Sequence, residues 1–185
     1  VISAAQVPFT GFGGQSGTVQ DLGTADGASW IGYTSPFTAS VAESITNKLS
    51  QIVSVKDFGA VGNGSIDDST SIQAAIDWVN SIGGGIVYFP TGNYKCNIVL
   101  KANVTLTSFG TGIFGYLASG SLQGVVLTQA ASGFVVDTPS TGISNCSVVG
   151  INFKGLGAGT AGGGVRLQNV SWGAVKQCYF DNFAD

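Results

Sequence analysis

Histidine and methionine are both absent from this chain of 185 residues, and charged residues make up only 9% of it. Ordinary globular proteins carry about 25% charged residues. Without histidine, and with three cysteines (Cys96, Cys146, Cys178) that form no CxxC spacing, a structural zinc site is not expected. The odd cysteine count argues against a full disulfide framework, and buried free thiols are expected. Seven basic residues and a net charge of −3 do not make the basic patch that nucleic acid requires. No run of about 18 apolar residues exists, so no membrane-spanning helix is expected. No basic-then-apolar leader opens the chain. With no initiator methionine, and a repeating pattern still running at Asp185, the chain reads as a processed or partial polypeptide. No cofactor-binding pattern survives inspection. The stretch GTGIFG (Gly110, Gly112, Gly115) matches GxGxxG but is followed by no helix, so turn glycines are expected there.

What the chain does have is glycine, 29 residues of it, and a hydrophobic content of 44%. Many Val, Ile, Ser, Thr and Asn residues accompany the glycine. This composition predicts short strands joined by tight turns.

Three zones follow from the order of residues. Residues 1–38 are polar, glycine-rich and irregular, with scattered aromatics (Phe9, Phe12, Trp30, Tyr33, Phe37) and no core of their own. Such a segment is ordered by a partner or not at all. In residues 39–52, Val41, Ile45, Leu49 and Ile52 recur at steps of 4, 4 and 3, which is one face of a helix. Ser40 and Glu43 have capping-box spacing. The stripe is narrow, and a lone helix of this length is marginal in water, so a seam with other helices is expected.

The third zone, residues 53–185, opens with VSVKDFGAVGNGSIDDST. Its paired acids, Asp67 and Asp68, precede a helical pattern in which Ile72, Ala75, Ile76 and Val79 share a face. Asp68 or Thr70 is a good N-cap, and Thr70 with Gln73 has capping-box spacing. Gly83 to Gly85 would end the helix. The acids therefore read as a helix start. Adjacent side chains also poorly suit glycoside hydrolysis, whose working carboxylates stand about 5 to 9.5 Å apart on opposite sides of the bond. After the helix, every segment reads as strand and turn.

Self-similarity supplies the architecture. Ile143, Val148, Ile151 and Phe153 are each matched 27 residues later by Val170, Val175, Cys178 and Phe180. A fixed offset is the mark of stacked coils, each of which buries its apolar residues against its neighbours. The stretch GLGAGTAGGG between the two coils is expected to leave one turn of the stack. The helix near residues 69–82 is expected to cover the open end. Among the remaining polar residues, Arg166 could act as a base or clamp in a lyase, and Asp181 could face a groove. Trp172 and Tyr179 could stack on sugar rings, with packing in an interface or in the core as the equal alternative.

The segment VSVKDFGAVGNGSIDDSTSIQAAIDW, with GGGIVYFPTGNY after it, resembles the entry module of right-handed parallel β-helix proteins of the pectate-lyase and polygalacturonase type. The preceding ASWIGYTSPFTASVAESITNKLSQIV resembles the neck of bacteriophage tailspikes and tail-fibre depolymerases. The resemblance implies a mainly β fold: a single-stranded right-handed parallel β-helix with an N-terminal capping α-helix, a neck helix and a docking segment. It implies a homotrimer located on the virion tail. Residues 1–38 would dock on tail or baseplate proteins, Val41, Ile45, Leu49 and Ile52 would line the neck, and a distal part would bind or cleave host polysaccharide. In that family the catalytic acids lie on later coils or between subunits, so no catalytic residue is assigned here; this chain alone is not expected to cleave polysaccharide, while the full-length protein could be a polysaccharide depolymerase. The alternative is a fragment of a secreted polysaccharide lyase or glycoside hydrolase of the same fold.

Overall fold

A computed structural model describes residues 8–10, 16–18, 31–108 and 124–183, the first two segments as backbone only. The chain divides into two compact units, residues 1–51 and 52–185.

The larger unit is a right-handed parallel β-helix. Strands β5 (Val53–Ser54), β7 (Gly85–Tyr88), β10 (Val104–Thr107), β13 (Ile143–Val149) and β16 (Val170–Lys176) stack as one parallel sheet. A second sheet holds β6 (Asn63–Asp67), β8 (Gly92–Cys96), β11 (Val125–Gln129), β14 (Asn152–Lys154) and β17 (Tyr179–Asp181). A third holds β9 (Ile98–Val99), β12 (Gly133–Asp137) and β15 (Gly162–Val165). The chain visits the sheets in turn: the three middle coils contribute one strand to each, while the first (β5, β6) and the last described (β16, β17) contribute only to the first two. Crossovers between parallel strands are right-handed with few exceptions. The GLGAGTAGGG stretch, expected to leave the stack, does so only in residues 155–161, which lie in the connection between β14 and β15; Gly162, Gly163 and Gly164 belong to β15, paired with β12.

The offset of 27 residues is realised as register. Ile143 pairs with Val170 and Val148 with Val175 in the first sheet, and Phe153 pairs with Phe180 in the second. The interior is built by alternation along each strand. Val87, Leu106 and Val148 form one buried column; Tyr94, Leu127 and Phe153 form another.

The helix α2 spans Ser69–Ser81, and its buried residues Ile72, Ala75, Ile76 and Val79 join the same core. It therefore supplies to the first coil the apolar surface that a preceding coil would supply. Its cap differs from the expected one. Asp68 occupies the N-cap position without a side-chain capping bond. The Thr70–Gln73 box does not form, because the Gln73 side chain is recruited elsewhere: it accepts from the Val99 N–H and donates to the Val99 carbonyl and to Asp77. The edge of β9 offers unpaired backbone groups, and satisfying them outweighs a local cap.

In the smaller unit the expected helix over residues 39–52 is much shorter. The helix α1 spans only Ile45–Leu49. Its N-cap is Ser44, whose hydroxyl accepts from the Asn47 N–H, while Ser40 donates to the Ser35 carbonyl. Glu43 and Ser44 form β4, antiparallel to β3 (Gly32–Tyr33). The segment expected to be irregular also holds an antiparallel pair, β1 (Pro8–Thr10) and β2 (Ser16–Thr18).

Candidate functional site

The two adjacent acids diverge. Asp68 is buried and its carboxylate accepts from the N–H groups of Val61 (2.7 Å) and Gly62 (2.9 Å), so it ties down the turn before β6. Asp67 is exposed and accepts from Ser69 through both the backbone N–H (2.9 Å) and the hydroxyl (2.5 Å). The Ser69 hydroxyl bond, followed by the Ser69 N–H, holds the Asp67 carboxyl below its usual range. The pair thus holds the entry turn and the start of α2 together. Beneath it, burial pushes the Cys96 thiol far up, with the Asp68 charge adding to the effect. Tyr94 is pushed up to about 12 by the same two causes in the same order.

The outer face of the second sheet presents a polar column. Register places Asp67, Lys95, Thr128, Lys154 and Asp181 on successive rungs. Lys154 is exposed and Lys95 half-buried, and the Thr128 hydroxyl donates to Asn93 on the neighbouring rung at 2.6 Å. The lysines stand two rungs apart, roughly 9 to 10 Å at the usual strand spacing. The acids of the column cannot work as a glycosidase pair: Asp67 and Asp181 are four rungs apart, about 19 Å, against the required 5 to 9.5 Å. Sequence reading named Asp181 as groove-facing but missed Lys95 and Lys154. The signal was available for Lys154, which stands 27 residues before Asp181.

Arg166 is engaged and does not serve as a free base. Its Nε and Nη2 donate to the two oxygens of Asp137 at 2.8 and 2.5 Å, and its guanidinium lies 4.5 Å from the centre of the Phe134 ring. The Arg166 hydrogen bonds hold the Asp137 carboxyl below its usual range. Among the described residues no group of three His, Cys, Asp or Glu side chains is placed to hold a metal ion.

The neck residues of the sequence reading are not gathered into one helical stripe. Val41 lies before α1 and is 83% exposed; Leu49 and Ile52 are exposed and Ile45 is half-buried. Of the aromatic set, Tyr33 lies in β3 beneath the Lys48 ammonium, 5.7 Å from the ring centre, and Phe37 is exposed. Phe9 falls in β1, described as backbone. Phe12, Trp30 and the GTGIFG stretch lie outside the described residues.

Comparison with known proteins fits this architecture. Residues 52–132 match the family model described as rhamnogalacturonase A/epimerase, pectate lyase-like. Mannuronan C5-epimerase AlgE4 of Azotobacter vinelandii is 46% identical over 67 residues, 31% of this chain and 12% of that protein. Its A-module has a similar structure, with TM-score 0.55, 25% identity, and coverage of 69% of this chain and 38% of that one. ORF18 of Geobacillus virus E2 matches with TM-score 0.56 and 27% identity over 71% of this chain and 26% of that one. The tailspike of E. coli bacteriophage HK620, solved with a pentasaccharide, matches with TM-score 0.51 and 19% identity over 90% of this chain and 41% of that one. The chain spans between 4 and 12% of the length of the curated epimerases it matches.

These likenesses define the class by its fold: a parallel β-helix, matched over residues 52–132 by a pectate lyase-like family model.

Proposed function

We propose that this chain is the virion-proximal part of a phage tailspike, attaching the spike to the tail and supporting a distal β-helix that binds or degrades host polysaccharide. The observation that carries the reading is the extent of the tailspike match. It covers 90% of this chain, a span that has to include residues before Ile52, whereas the epimerase module covers 69%. An entry unit ahead of the capped solenoid is what attachment requires. The exposed Val41, Leu49 and Ile52, with half-buried Ile45, supply apolar surface for a homotrimer. Residues 1–38, with Phe9, Phe12, Trp30, Tyr33 and Phe37, are the segment for tail or baseplate proteins.

Light scattering on the 185-residue chain tests this. The expected result is a trimer, weakened by Ile45→Asp, which would bring three charges toward one axis. A monomeric wild type, or a trimer indifferent to the substitution, overturns the neck.

A secreted polysaccharide-active enzyme is the second reading, favoured by the 46% identity to an epimerase. That match covers only 31% of the chain. Incubation with capsule, lipopolysaccharide and alginate distinguishes the two. Release of reducing ends or unsaturated sugars by this chain alone, or a change in the C5 configuration of alginate residues read by proton NMR, abolished by Asp181→Asn, would favour the enzyme.

A further inference from the structure

One column of the first sheet repeats an unusual backbone state on four rungs. Gly84, Asn103, Asn145 and Trp172 have φ of 116°, 61°, 55° and 58°. The pairings Gly85 with Val104, Thr105 with Ser147, and Ser144 with Ser171 put these four residues in register. Other corners repeat in the same way, Gly142 with Asn169 and Gly150 with Gln177, so the left-handed corners belong to the coil itself. Glycine enters this region without steric cost and asparagine with little; a bulky side chain does so at a penalty. At Gly84 the reason for glycine is direct, since a Cβ there would lie 2.4 Å from Asn103 Cβ. The two asparagines form an amide ladder, Asn145 Nδ2 donating to Asn103 Oδ1 at 3.2 Å. Trp172 breaks the series: the strained position is kept and the indole is 84% exposed.

Trp172 stands on the last described rung, where exposure rises along all of β16, but its column is open on the earlier rungs as well. Asn103 and Asn145 have strands on both sides in the sheet and are exposed all the same. The column faces solvent at every rung. Around Asn145 and Trp172 the surroundings are polar but uncharged, since residues 138–153 and 167–175 contain no Asp, Glu, Lys or Arg; on the Asn103 rung the nearby Lys101 is neutralised by Asp77 at 2.8 Å. Ser140, Thr141, Asn169 and Ser171 are exposed there. A strained, exposed aromatic that packs on little of its own chain is a mark of function. An indole beside an amide ladder matches one ligand chemistry. The C–H face of a pyranose ring stacks on the indole, and the hydroxyls of the next sugars bond to amides on rungs about 4.8 Å apart.

We infer that the Asn103–Asn145–Trp172 column is a binding site for an uncharged oligosaccharide running along the solenoid axis. The site is separate from the Lys95–Lys154 column of the second sheet, and it does not depend on the virion reading.

The test is titration of the 185-residue chain with maltohexaose, cellohexaose and chitohexaose, with an alginate hexasaccharide as the charged control. The indole N–H resonances are read by NMR and assigned with the variants. At least one neutral hexasaccharide is expected to shift the Trp172 resonance saturably, and the alginate oligomer to leave it unmoved. Trp172→Asn should weaken binding by about tenfold or more while raising Tm by about 2 to 4 °C, because asparagine suits the left-handed corner. Trp172→Phe keeps a stacking face and should retain most of the binding. No shift with any of the three neutral sugars overturns the inference. So does binding unchanged by Trp172→Asn, a shift that follows protein concentration instead of sugar, or a fall in Tm showing that the indole packs.

Discussion

The two ends of the solenoid hold the same columns in different states. In the first sheet Val87, Leu106 and Val148 are fully buried, and Val175, next in the column, is 38% exposed. In the second sheet Tyr94, Leu127 and Phe153 are fully buried, and Phe180 is 44% exposed. At the α2 end, the first complete coil is as dry as the middle ones. Burial in this fold is therefore conferred by the adjacent layer, and any layer with an apolar face will do. The helix α2 is such a layer, made from a different secondary structure.

That contrast can be broken most forcefully at the lid. Ile76 is fully buried between α2 and the first coil. Ile76→Asp places a carboxylate there with no planned partner and should cost at least about 4 kcal/mol, enough to unfold the larger unit. Val175→Asp occupies a half-open position at the other end and should cost under about 1.5 kcal/mol in the same chain. Chemical denaturation of the two variants measures the difference. Equal losses would mean that the last coil is as tightly held as the first.

A milder pair probes the aromatic column. Phe153 and Phe180 stack with ring centres 5.0 Å apart and planes 10° from parallel. Phe153→Ala empties a fully enclosed site and should cost about 3 to 5 kcal/mol. Phe180→Ala should cost about half as much. Because the rings touch, the double variant should fall short of the sum by about 0.5 to 1.5 kcal/mol.

The solenoid was legible because its evidence is repeated. Four apolar residues recur at one offset, and each coil restates the pattern. The lid helix was legible from its face, Ile72, Ala75, Ile76 and Val79, which no strand period explains. Its cap was not, because Gln73 answers to β9, a partner 26 residues away. The short α1 was misjudged for a physical reason. One apolar residue per turn offers too narrow a face to hold a helix, and Ser44 makes a competing cap within it. Of the candidate sites, the sugar-stacking role for Trp172 was visible as a residue type, but its strained corner was not. A left-handed backbone at tryptophan has no signature in composition; it appears only when Asn103 and Asn145 are seen to stand in line with it. The Arg166–Asp137 pair was hidden likewise, since its members belong to different coils.

The third sheet offers an electrostatic comparison. Asp137 and Asp67 both titrate below the usual range, one through the Arg166 guanidinium and the other mainly through Ser69. A depressed folded-state value means that each carboxylate stabilises above its unfolded value near 3.9, and that this contribution is lost as pH falls through the folded value. Arg166→Gln should raise the Asp137 midpoint toward the ordinary range and leave Asp67 unchanged. Carbon-detected NMR titration of the carboxyl groups reads both. The Tm difference between wild type and variant should shrink below about pH 4.

The smallest effect expected is chemical, and it returns to the two ends. Cys96 and Cys146 are buried, while Cys178 is only half-buried on the last described coil. Burial raises all three thiols, most strongly Cys96. Thiolate is the reactive form, so all three should alkylate slowly at pH 7, and access decides their order. Cys178 should react first with iodoacetamide, and Cys96, under the lid, should react only as fast as the larger unit opens. Destabilising the lid by Ile76→Val should speed Cys96 labelling while leaving Cys178 nearly unchanged. Mass spectrometry of the peptides against time gives the order. Cys96 labelling at the rate of Cys178 would show that α2 leaves the first coil as readily as solvent reaches the last, and the two ends would then differ in sequence but not in protection.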